Sequence, residues 1–206
     1  MNLLESTLKQ FVANLSADSP VPGGGSVSAL AGALGAALCA MVARLTLGKE
    51  KYRRAWEEME RLRDSSDSLC SRLMDLVEED SAAYAKVMAA YRIPKERDRE
   101  REDAVQSALK EAASVPMETL RITATLRDLV KSALDRGNPN CLTDAGVAAQ
   151  LIRAAAHGAA YNVRVNLSGI KDPDFCNGFS SETSQLLERL ERSVTDLERA
   201  VQARLL

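Results

Sequence analysis

The chain has 206 residues, with 27 Lys and Arg against 29 Asp and Glu for a net charge of −2. That length supports one sizeable domain with a real core, and the near-neutral balance supplies none of the basic surface that nucleic-acid binding needs. Aromatic residues make up only 4%, while Ala, Leu, Glu and Arg abound, the composition of closely packed helices. The four cysteines, Cys39, Cys70, Cys141 and Cys176, are far apart and form no Cys-x-x-Cys. His157 is the only histidine. Neither a disulfide framework nor a metal cluster is expected, and a reducing, cytoplasmic setting fits.

Leu3, Leu4, Leu8, Phe11, Val12 and Leu15 recur at helical spacing, so residues 2–15 read as an amphipathic helix without the basic start and apolar block of a secretory signal. Ser19-Pro20-Val21-Pro22-Gly23-Gly24-Gly25-Ser26 follows. Consecutive glycines let backbone amides approach a group closely, and a glycine turn feeding a helix is a natural cradle for an anion or polar ligand. The same residues also suit a plain tight turn. They match neither the P-loop nor the dinucleotide fingerprint. Ser26 is the expected cap of the next helix.

Val27 to Leu47 carries one charge, Arg44. It is long enough to span a bilayer, but it is built of Ala and Gly with no basic cluster before it, so a buried bundle helix is expected and no membrane partner. Gly48 should end it.

Tyr52 to Tyr91 contains neither Gly nor Pro and reads as one long helix, or two broken near Asp64-Ser65-Ser66. Pro94 stops it, and Lys95 to Asp103 is a charged connection. Ala104 to Val115 is helical, Pro116 starts or kinks the segment to Arg136, and Asn138-Pro139-Asn140 turns the chain. Thr143 should cap a helix from Asp144 to Leu167. Gly169 to Phe179 reads as a loop with a turn at Asn177-Gly178, and Ser180 or Ser181 should cap the last helix. No strand alternation or repeat is present. The expected fold is all-α, one domain over 1–206, an antiparallel up-and-down bundle of about six or seven helices.

Two apolar stripes carry polar residues. Leu73, Val77, Asp80, Tyr84, Val87 and Tyr91 share a helix face, with Glu78 and Glu79 expected on the solvated side. A carboxylate at the Asp80 position must be paired or used: the pattern suits an ion pair with a neighbouring helix or an acid–base group. Val147, Leu151, Ala154, Gly158, Asn162 and Val165 form the second stripe, which places the Asn162 amide on a buried face. Asp144 suits the helix dipole as a cap. Tyr84, Tyr91 and Tyr161 are expected in the core. His157 sits off the stripe and lacks a nucleophile partner.

Taken in order, the motifs resemble a known family. Pro22-Gly23-Gly24-Gly25-Ser26 with the Ala/Gly helix behind it is similar to the signature of the cyclodeaminase domain of formiminotransferase-cyclodeaminase and of stand-alone bacterial methenyltetrahydrofolate cyclohydrolases. Gly48-Lys49 and Tyr52, Asp80 with Ala83-Tyr84, Pro94-Lys95, Ala113 to Pro116, Gly137-Asn138, Asp144, Val147-Ala148-Ala149, Gly158-Ala159, Asn162-Val163 and Asn166-Leu167 extend the match along nearly the whole chain. Thr143 stands where the family has Ser.

The resemblance implies a one-carbon folate enzyme. It would be a cyclodeaminase that closes formimino-tetrahydrofolate to methenyltetrahydrofolate and ammonia, or alternatively a cyclohydrolase, or a non-catalytic folate-binding homologue. It implies a tetrahydrofolate derivative as substrate with no prosthetic group or metal, and a homodimer. Without a formiminotransferase half, a separate formiminotransferase is expected to supply the substrate. Asp80 and Asp144 are the implied catalytic residues. Pro22, Gly23, Gly24, Gly25, Ser26, Lys49, Tyr84, Asn138, Thr143 and Asn162 are the implied substrate contacts, with Lys51 and Lys95 further candidates for the glutamate tail.

Overall fold

The computed structural model describes residues 3–205. Six α-helices appear in chain order: α1 (Leu8–Leu15), α2 (Gly24–Thr46), α3 (Trp56–Tyr91), α4 (Asp98–Arg136), α5 (Leu142–Leu167) and α6 (Pro173–Leu205). Short 3-10 helices at Glu50–Ala55 and Pro139–Cys141 lead into α3 and α5. No strand occurs among the described residues, so the expected all-α bundle is what the chain forms.

The bundle is organised around α2. It is long and apolar enough to cross a membrane by composition, but α3 and α5 sheathe it along its length and α4 touches it. Small residues make this possible. A Cβ on Gly35 would stand 3.0 Å from Ile152 Cγ2, and one on Gly32 would stand 3.0 Å from Thr123 Cγ2. Interior packing is dense enough that extra atoms at such contacts force backbone shifts. The core side of α5 is also built from alanines, namely Ala145, Ala148, Ala149, Ala155, Ala156, Ala159 and Ala160, with Ile152 and Val163.

Several local expectations are corrected. The first helix spans only Leu8–Leu15, started by a Thr7–Gln10 capping box; Leu3 to Ser6 form turns, and Asn2 lies outside the described residues. Ser26 is not the cap of α2. Gly23 is, without a side-chain bond, and Ser26 stands in the first turn. No break occurs at Asp64–Ser66, because α3 runs on for 36 residues, about 54 Å. Pro116 neither starts nor ends a helix but lies inside α4. A proline leaves the carbonyl four residues back without its helical donor; here the Asn166 side chain donates to the Ala112 carbonyl at 2.7 Å and replaces it.

Thr143 does not cap α5, whose cap position is Cys141. Residues 173–179 are helix rather than loop: Pro173 opens α6, the Asp172 carboxylate accepts from the Phe175 N–H at 3.1 Å, and Phe175 stacks on Phe179. Asn177-Gly178 and Ser180-Ser181 are therefore interior to α6.

Burial also departs from the expected stripes. Tyr84, Tyr91 and Tyr161 are exposed rather than core. The Val147–Val165 stripe faces outward: Val147 and Val165 are more than half exposed, at 52% and 64%, because the alanine face of α5 takes the core. Glu78 and Glu79 are half-buried and engaged. Glu78 accepts from the Leu4 N–H, and Arg72 bridges Glu79 to Glu118 of α4.

The α4–α5 corner generates a test. A Cβ on Gly137 would stand 2.3 Å from the Ala133 carbonyl oxygen and 2.5 Å from Val42 Cγ1. Gly137→Ala is expected to cost about 1–3 kcal/mol, read by urea unfolding. An unchanged midpoint would contradict this packing.

Candidate active site

Asp80 is held over the first turn of α2. The Ser26 N–H donates to Asp80 Oδ2 at 2.8 Å, and the Ser26 hydroxyl lies 3.0 Å from the same oxygen and 3.0 Å from the Val77 carbonyl. The anion seated on this helix terminus is thus the protein's own carboxylate, where amides and dipole both favour it. Gly25 makes room: a Cβ there would fall 2.0 Å from Asp80 Oδ1. Asp80 Oδ1 has no hydrogen-bond partner among the described residues, and no arginine or lysine pairs with Asp80. The ion-pair alternative for this residue is therefore not the one the chain adopts. Burial is the largest influence on the Asp80 carboxyl and pushes its pKa up, against the opposing Ser26 bonds.

Asn162 flanks the turn from α5. Its Nδ2 donates to the Gly158 carbonyl at 2.8 Å, and a Cβ on Gly24 would meet that same nitrogen at 3.4 Å. Gly158 has the reason glycine must have there, since a Cβ would fall 2.2 Å from Ser28 Oγ. Tyr84 follows one helical turn after Asp80, with its side chain exposed. The structure thus brings together the Pro22–Ser26 turn, Asp80, Tyr84 and Asn162.

The remaining candidates lie at the other end of α2. Asn138 is buried, and its amide is engaged by the fold. Oδ1 accepts from the Tyr52 hydroxyl at 2.9 Å and the Asn140 N–H at 3.1 Å, Nδ2 donates to the Leu45 carbonyl at 3.2 Å, and its N–H donates to Thr46 Oγ1 at 2.8 Å. Through these bonds Asn138 staples the end of α2 to the α4–α5 corner. Lys49 and Asp144 are neighbours of Cys141. Burial pushes that thiol up, Asp144 adds to the rise and Lys49 opposes it. Thr143 is exposed in a groove shared with Gly146, Val147, Gln150 and α6. Lys51 lies over the Tyr52 ring and Lys95 is exposed.

Ser26 and Thr46 are 20 residues apart on α2, about 30 Å of helix. Asp80 and Asp144 therefore do not meet within one chain. Sequence reasoning gave no role to Ser81, whose hydroxyl lies 3.3 Å from Ser26 Oγ; the only signal was a hydroxyl next to Asp80. No group of three or more His, Cys, Asp or Glu among the described residues is placed to hold a metal ion.

A profile of the formiminotransferase-cyclodeaminase family matches residues 7–185. The chain belongs to the formiminotransferase-cyclodeaminase family. It is 36% identical over 198 residues to a methenyltetrahydrofolate cyclohydrolase of Methylorubrum extorquens, covering 91% of this chain and 95% of that protein. It is 33% identical over 207 residues to the formimidoyltransferase-cyclodeaminase of Rattus norvegicus, covering 98% of this chain but only 38% of that protein. The crystal structure of a formiminotetrahydrofolate cyclodeaminase from Thermotoga maritima superposes with a TM-score of 0.91 at 32% identity, covering 98% of each chain. Both kinds of family enzyme thus share this whole helical domain.

Asp80 generates a stability test. Because its folded-state pKa is raised, the ionised carboxylate costs the folded chain free energy. That cost is absent below the unfolded-state pKa, grows as pH rises towards the folded-state value and is full above it. Asp80→Asn should melt at or above the wild type near about pH 7.5, with the difference closing towards about pH 4. Thermal melts that put the variant lower by the same amount at every pH would contradict this.

Proposed function

We propose that the chain closes formimino-tetrahydrofolate to methenyltetrahydrofolate with release of ammonia. The observation that carries this reading is the Asp80 carboxyl, half-buried without a cationic partner and raised in pKa on a glycine-flanked helix terminus. The aniline nitrogen of the substrate attacks the formimino carbon, and a tetrahedral centre forms. The Asp80 carboxylate takes the proton of the attacking nitrogen and returns it to the departing one, which leaves as ammonia with one further proton from solvent. A carboxyl whose pKa is raised is a better proton acceptor than an ordinary aspartate and still gives the proton up again. Asn162 and Tyr84 border the same turn and are placed to orient the folate.

The second reading is cyclohydrolase, in which water attacks the methenyl carbon and the ring opens to formyl-tetrahydrofolate. The cyclohydrolase relative that matches over 95% of its own length favours it. In the cyclodeaminase reading a formiminotransferase supplies the substrate. The four free cysteines suit a cytoplasmic enzyme.

The near-ultraviolet band of methenyltetrahydrofolate separates these readings. Its appearance with ammonia from formimino-tetrahydrofolate identifies the cyclodeaminase, and its loss from methenyltetrahydrofolate identifies the cyclohydrolase. Neither change above the uncatalysed rate leaves a folate-binding homologue. In whichever assay responds, Asp80→Asn is expected to lower turnover about 10²–10⁴-fold; turnover equal to the wild type would overturn the assignment.

We also propose a homodimer with sites shared between protomers. Val27, Leu34 and Leu45 on α2, and Val147, Tyr161 and Val165 on α5, are exposed. Helical spacing sets the three residues of each helix on one face of it, and apolar side chains left exposed on two packed helices suit association. A two-fold axis across these faces places the Asp80 end of one α2 beside the Lys49 and Asp144 end of the other. Two single variants, Asp80→Asn and Asp144→Asn, should each be inactive and regain about one quarter of wild-type activity after mixing and reassembly, since half the dimers then carry one intact site of two. No recovery from mixtures shown to exchange subunits would contradict sharing.

A further inference from the structure

Both reactions exchange a proton with solvent. Neutral formimino-tetrahydrofolate plus one proton gives cationic methenyltetrahydrofolate and ammonia. Cationic methenyltetrahydrofolate plus water gives formyl-tetrahydrofolate and one proton. A substrate lying against the exposed side of Asp80 also blocks that side to water, so the carboxyl needs a second path.

The chain provides one behind the glycine turn. Asp80 Oδ2 lies 3.0 Å from Ser26 Oγ, and Ser26 Oγ lies 3.3 Å from Ser81 Oγ. Ser81 in turn lines a cavity of about 450 Å³ between the N-terminal segment and α3, with Leu3, Ser19, Pro22 and Glu78 also in its wall. Ala17, Ser19 and Ala82 at its rim are exposed, so the cavity opens to bulk water and is roomy enough for several molecules. Glu78, held by the Leu4 N–H at 2.9 Å, places a proton acceptor in the same wall.

We propose that the Ser26 and Ser81 hydroxyls form a two-step proton relay joining Asp80 to solvent in this cavity. The proposal rests on Asp80 as the acid–base group. Outward, the proton on Asp80 Oδ2 passes to Ser26 Oγ as the Ser26 hydroxyl proton passes to Ser81 Oγ and the Ser81 proton to a cavity water. Ring closure runs the same transfers inward. Only O–H bonds form and break, and nothing is oxidised. The Ser26 hydroxyl has a resting acceptor in the Val77 carbonyl at 3.0 Å, and its rotation towards Ser81 opens the path. Ser81 acts through Ser26 and Asp80.

The test compares Ser81→Ala and Ser81→Thr with Asp80→Asn in the full chain. Alanine is a better helix former than serine, so the α3 backbone is kept. Ser81→Ala should lower kcat about 10-fold or more at unchanged KM, enlarge the solvent deuterium isotope effect and recover as imidazole is added. Ser81→Thr, which keeps the hydroxyl, should stay near wild type. An unchanged kcat and isotope effect in Ser81→Ala overturns the relay, and so does a loss that neither threonine nor imidazole restores. Wild-type turnover in Asp80→Asn removes the acid–base reading itself, and a silent Ser81→Ala beside an inactive Asp80→Asn removes the relay alone.

Discussion

The contact between the Asp80 carboxylate and the first turn of α2 constrains much of the rest. A carboxylate in a helical bundle is costly unless something compensates for its lost water. Here the compensation is the Ser26 amide and hydroxyl with the positive end of the α2 dipole. This requires Gly25, because any Cβ would occupy the position of the carboxylate. It also requires α3 to lie close against α2. The compensation is partial, since burial still raises the carboxyl. A full ion pair would have favoured the charged form and pulled the pKa down instead.

The glycines and alanines of α2 and α5 follow from the same requirement. Close approach of three helices around Ser26 needs Gly25 beside Asp80 and Gly158 beside Ser28. At the opposite end, the buried Asn138 staple fixes how the α4–α5 corner meets α2. With both ends of α2 pinned, its outer side and that of α5 stay apolar and open. The Asp80 and Asp144 clusters stay at the two ends of α2, separated by about 30 Å of helix.

The helical class and most of the long helices could be read from composition and periodicity. Asp80 could also be read, because it interrupts an apolar repeat. The failures have local physical causes. Pro116 looked like a boundary because its helix-breaking effect is intrinsic, whereas its repair by Asn166 comes from 50 residues away. The Val147–Val165 stripe looked buried because periodicity marks an apolar face without telling an internal neighbour from another chain. Ser81 went unnoticed because a serine in a helix carries no signal until its neighbour Asp80 is seen to bond Ser26.

The central claim is that Asp80 holds an elevated pKa on a helix terminus that would ordinarily lower it. The direct measurement is a ¹³C NMR titration of the aspartate carboxyl carbons, with Asp80→Asn used to assign the signal. The account predicts an Asp80 midpoint above the ordinary aspartate range of about 3.9, moving further up when a folate analogue excludes water from the site. A midpoint at or below that range, unmoved by the analogue, would show a permanently ionised carboxylate that serves only to hold α2 against α3.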